Sequence, residues 1–102
     1  MYLSNAFSLN MIPADAEELT VHIERIEPDD VPPDAESVIG HSDTARVVSN
    51  ILGRDVPANR ISITVSPGDV LYAAQYCGPR LPAGATELPD DATITFYRVT
   101  IQ

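Results

Sequence analysis

The chain has 102 residues, 44% of them hydrophobic, enough for one domain over residues 1–102 with a single modest core. Fifteen acids stand against six Lys+Arg, all arginine, for a formal net charge of −9, so the chain has no long-range attraction for duplex DNA. No apolar run reaches the roughly 18 residues of a membrane helix, and one Cys and two His are too few for an ordinary structural zinc site.

Taken from the start, MYLSNA is a short apolar segment fit for a first strand. The stretch MYLSNAFSLN has no charged n-region and no long apolar region, so it does not read as a secretion signal. NMIPADAEEL is a loop broken by Pro13. Leu19 to Ile26 alternates, with Val21 and Ile23 on one side and Thr20, His22 and Glu24 on the other, the pattern of a half-buried strand. EPDDVPPDAES carries three prolines and five acids and reads as a solvated loop with at most one helical turn.

From Ser42 the period changes. Thr44, Val47, Val48, Ile51 and Leu52 follow helical spacing. Ser42 or Asp43 is placed to cap the start, and Gly53 to stop the helix. NRISITV, from Asn59, alternates Ile61, Ile63 and Val65 as a strand, and SPGD is a turn that would fold it back, antiparallel, onto the next. VLYAAQYC is nearly all apolar, as in a central strand covered on both faces, with Gln75 the exception. GPRLPAGATELPDDA is a long Pro/Gly loop, and TITFYRVTI is the last strand. Its apolar set changes phase between Phe96 and Tyr97, which calls for a bulge or for cover on both faces. About five strands and one main helix give an α+β fold, with a mixed, mostly antiparallel sheet and the helix packed on it.

Few residues stand out chemically. His41 precedes the helix and is either a surface or capping histidine or a general acid beside a phosphate, since free amides at a helix start suit an anion. Gln75 sits in a buried apolar run, so its amide must find partners there: structural ones first, a ligand second. Arg60 and Arg80 flank strands, and each is either an ordinary surface arginine or a contact for a small anionic ligand. His22 reads as solvent-facing. Cys77 is alone, so no internal disulfide forms, in keeping with a reducing cytoplasm.

MYLSNAFSLNM, IGHSDTARVVSNILG, VPANRISITV, GDVLYAAQYCGPRLPAG and the closing TFYRV, in this order and spanning nearly the whole chain, resemble the small dimeric ring nucleases of archaeal viruses, phages and bacteria that act as anti-CRISPR proteins against type III systems. The resemblance implies a two-fold homodimer that binds cyclic tetra-adenylate across its interface and cuts it to linear di-adenylates with 2′,3′-cyclic phosphate ends, without metal or other cofactor. It implies His41 as the catalytic histidine and Ser8 and Asn10 as holders of ribose and ring backbone. Ser42 and Thr44 would assist phosphate binding, Arg60 and Arg80 would shape and clamp the pocket, and Gln75 would face the ligand. One position departs: Ala83 stands where the family commonly has an acidic residue. A slow or binding-only variant, a deliberately deleted side chain, and replacement by Glu87 in the same loop all fit that departure. The alternative in another class is a binding module, either a messenger sponge or a regulator that meets a protein through an acidic surface.

Overall fold

The computed structural model describes residues 1–102. Five strands form one mixed sheet: β1 (Tyr2–Ser4), β2 (Val21–Ile26), β3 (Glu36–Ser37), β4 (Val70–Cys77) and β5 (Thr93–Ile101), in the order β2-β5-β4-β1-β3. The antiparallel ladders β2/β5 and β4/β5 are long, and β1 is held between β3 and β4 by two short parallel ones. One helix, α1 (Ser42–Leu52), and two 3-10 turns, Leu9–Met11 and Pro28–Asp30, complete the regular structure. The α+β class and the mixed sheet with one main helix agree with the sequence pattern.

α1 follows from its periodicity. Ala45, Val47 and Val48 are buried, and Val48 meets Leu3, Ile39, Tyr72, Ala74 and Phe96 in the core on the helix side of the sheet. Each fully buried valine contributes about 1.5–3 kcal/mol of apolar transfer. Gly53 ends the helix at φ 68°, and the N–H groups of Gly53 and Arg54 both donate to the Ser49 carbonyl. The start differs from expectation. His41, not Ser42 or Asp43, takes the N-cap position in extended backbone, and its side chain makes no capping bond.

A second core of Val65, Leu71, Val99 and Ile101 lies on the opposite sheet face. It corrects the strand expected at Asn59–Val65. That segment joins no ladder, and the fifth strand is Glu36–Ser37, inside the acidic loop. Residues 61–65 instead cross the sheet face opposite the helix, turning Ile63 and Val65 onto it, with the Val65 N–H donating to the Met11 carbonyl at 2.8 Å. One-sided burial produces the same alternation as a ladder, so the expected antiparallel pairing through the SPGD turn does not form. β5 keeps an unbroken register with both neighbours, so its phase change reflects cover on both faces: Phe96 on the helix side, Val99 and Ile101 on the other.

Candidate functional site

The backbone around His41 is positioned by a polar clasp. The Ser37 hydroxyl donates to the Pro57 carbonyl at 2.7 Å, the Asn59 side-chain amide donates to the Ser37 carbonyl at 3.0 Å, and the Asn59 N–H donates to the Ile39 carbonyl at 2.8 Å. These bonds lay residues 57–59 alongside the chain leaving β3. They also set the Arg60 stem on Gly40: a Cβ added there would meet the Arg60 Cγ at 3.1 Å. The next residue, His41, leads into α1 with its side chain exposed.

An open pocket of about 460 Å³ lies at this helix start, lined by His41, Asp43, Thr44, Tyr76, Arg80, Leu81 and Ala83. Two ties bring the loop after β4 to it. The Tyr76 hydroxyl donates to the Pro79 carbonyl, and the Asp43 carboxylate accepts the Gly84 N–H at 3.3 Å. Asp43 also faces Arg46 at 3.4 Å. Its charge is therefore shared within the protein, at the helix end where an acid is favourable. Three arginines are committed elsewhere: Arg46 to Asp43, Arg54 to the Val31 and Pro32 carbonyls, and Arg98 to Glu24. That carboxylate raises the Arg98 pKa by hydrogen bonding and by charge. Arg60 and Arg80 have no such partner and remain available to an anion.

Of the residues singled out in the sequence, His41, Thr44, Arg80 and Ala83 share this pocket. Ser42 is the exposed first residue of α1 and is not part of its lining. Ser8 and Asn10 line a separate cavity of about 190 Å³ with Val38, Ile61 and Ser62 among others. There the Ser8 hydroxyl accepts the Asn10 N–H at 3.2 Å, so it also caps a 3-10 turn. Arg60 stands between the two cavities in sequence and space: its stem covers Gly40, beside His41, and Ile61 lines the second cavity. Glu87 is exposed and lines neither.

Gln75 requires a correction. β4 is covered only as far as Ala74; Gln75 is exposed, and its amide donates to the Tyr76 carbonyl at 3.2 Å. It lines a shallow apolar depression with Phe7, Ile23, Ala73, Tyr97 and Val99, on the sheet face opposite α1. Asp43 and Tyr76 are the site residues the sequence did not suggest. Asp43 looks like a cap and serves as a loop anchor, while Tyr76 is hidden in an apolar run whose last residues emerge from the core.

A profile of the STIV B116-like family matches residues 1–97. The chain belongs to that family. One solved structure of similar fold is "B116 of Sulfolobus turreted icosahedral virus (STIV)", which is 24% identical, covers 97% of each chain and gives a TM-score of 0.77. Comparison with curated proteins gave no match. The STIV B116-like family is thus named for a virus protein, and the present chain shares its five-stranded α+β fold. No helix here is long and apolar enough to cross a membrane.

Proposed function

We propose that the protein is a ring nuclease that binds cyclic tetra-adenylate between two copies of the chain and cleaves it to linear di-adenylates, switching off type III CRISPR signalling. The observation that carries this reading is the convergence of His41, Thr44 and Arg80 on one open pocket at the start of an eleven-residue helix. The first-turn N–H groups, the Thr44 hydroxyl and the Arg80 guanidinium form a phosphate-binding set, and His41 is a proton donor beside it. A ribose 2′-hydroxyl gives up its proton to solvent and attacks its own 3′-phosphorus in line. The new O2′–P bond closes a cyclic phosphate, the P–O5′ bond breaks, and the departing oxygen takes its proton from His41. The step is carried by substrate and side chains, so it calls on no metal. A two-fold axis relates opposite phosphates of the four in the ring, matching two copies with His41 of each facing a shared groove.

Ala83 favours a second reading, a messenger sponge. It occupies the pocket wall without a carboxylate, and Glu87 is outside that wall. Incubation with labelled cyclic tetra-adenylate separates the readings: cleavage supports the nuclease, retention without cleavage supports the sponge, and the absence of both overturns both. Binding that does not weaken on Arg80→Ala, or in high salt, would remove the phosphate clamp from the account.

A further inference from the structure

β2 is an edge strand, bonded only to β5. The Gln102 N–H donates to the Thr20 carbonyl at 2.9 Å, one step before the Val21–Ile101 pair. Antiparallel bonds alternate, so His22, Glu24 and Ile26 direct their backbone groups to β5, and Val21, Ile23 and Arg25 direct theirs out of the sheet. Such an edge invites another strand.

We propose that this edge pairs antiparallel with β2 of a second copy, centred on Ile23, to make a ten-stranded sheet. A two-fold axis normal to the sheet keeps each side chain on its own face, so the axis must pass through a residue rather than between two. Centring on Glu24 sets carboxylate against carboxylate, and centring on Arg25 sets guanidinium against guanidinium; both are repulsive. Centring on His22 leaves Arg25 outside the ladder. Centring on Ile23 pairs Val21 with Arg25 and Ile23 with itself through the outward backbone groups. It places His22 opposite Glu24 twice, at the non-hydrogen-bonded positions where side chains approach most closely.

Two observations single out this register. Both Arg98 bonds to Glu24 fall on Oε1, leaving Oε2 without a partner in the chain and free to accept an imidazole N–H. Ile23 is 56% exposed at the rim of the apolar depression it shares with Tyr97 and Phe7, and its symmetry mate extends that surface. β2 lies at the sheet edge opposite β3, which leads to His41. The contact is therefore distinct from the one facing the His41 pockets and does not depend on it. With both contacts made, a chain has two self-complementary faces, which close as a tetramer or continue as a row.

Two variants test this. Ile23→Pro removes one outward N–H and leaves the β2/β5 bonds intact. Light scattering should show the mass of the assembly falling to half or less of that of the unchanged protein, with the same circular dichroism. In a Cys77→Ser background, Ile23→Cys should cross-link on oxidation, because hydrogen-bonded partners stand about 5.5 Å apart between Cα atoms, within disulfide reach. Arg25→Cys, facing Val21, should not. An unchanged mass for a folded Ile23→Pro protein, or cross-linking no better at position 23 than at 25, would overturn the proposal; the cross-linking arm decides it alone if the proline variant does not fold.

Discussion

The Asp43 carboxylate holds the Gly84 N–H at 3.3 Å, joining the first turn of α1 to a loop 41 residues away. Gly84 has φ 79°, a left-handed conformation suited to glycine, so the loop passes the helix start in one defined shape. This bond fixes the wall that carries Arg80 and Ala83. Asp43→Ala should release it: the Gly84 amide should exchange faster by NMR, and affinity for cyclic tetra-adenylate should fall. Loss of one acid at a helix start and one exposed bond costs about 1 kcal/mol, or roughly 4–8 °C in Tm for a domain of this size.

His41→Ala should reduce single-turnover cleavage by about 10²–10⁴-fold, the usual worth of a positioned proton donor. The His41 side chain is exposed and makes no hydrogen bond, so stability should change by no more than about 0.5 kcal/mol, or roughly 2–4 °C in Tm. Cleavage by the unchanged protein should continue in EDTA; its loss there would contradict the metal-free route.

Ala83→Glu and Glu87→Ala form a paired test of the missing acid. Ala83 is on the pocket wall and Glu87 is not. A carboxylate at 83 should raise the single-turnover rate with little change in affinity, because it acts chiefly on the transition state. Glu87→Ala should leave the rate unchanged. A slow Glu87→Ala enzyme beside an unimproved Ala83→Glu enzyme would show that the loop rearranges to use the later acid.

Gly78→Ala should be the more damaging of two glycine substitutions outside the helix. An added Cβ would lie 2.7 Å from the Ala92 Cβ and 2.9 Å from its Cα, at φ 152°. Overpacking of this kind costs about 1–3 kcal/mol. At Gly68 an added Cβ meets nothing within 4 Å, and only its φ of 96° opposes substitution. Thermal melts of the two alanine variants should rank Gly78→Ala lower.

The helix, β2, β4 and β5 were legible because burial imposes a clear period over many residues. β3 was not: two residues cannot establish a period, and Glu36–Ser37 pairs only because the chain leaving the acidic loop meets β1. Residues 61–65 mislead for the opposite reason, since packing an extended segment across a sheet face alternates side chains as a ladder does. At the site, His41, Thr44 and Arg80 are close to turn and helix signals that fix their place. Gln75 was misjudged because apolar composition does not show where a strand runs out from under its cover.

β1 is three residues long, yet it occupies an interior lane of the sheet, between Glu36–Ser37 and Leu71–Ala73. During synthesis these first residues wait for a berth whose far side is made about 70 positions later. At about 5–20 residues per second that interval lasts roughly 4–14 s. Until then Leu3, destined to be almost wholly buried, has no finished place to go. Closing so long a loop carries a larger entropic cost than forming the β4/β5 ladder, whose strands are joined by the 15 residues 78–92.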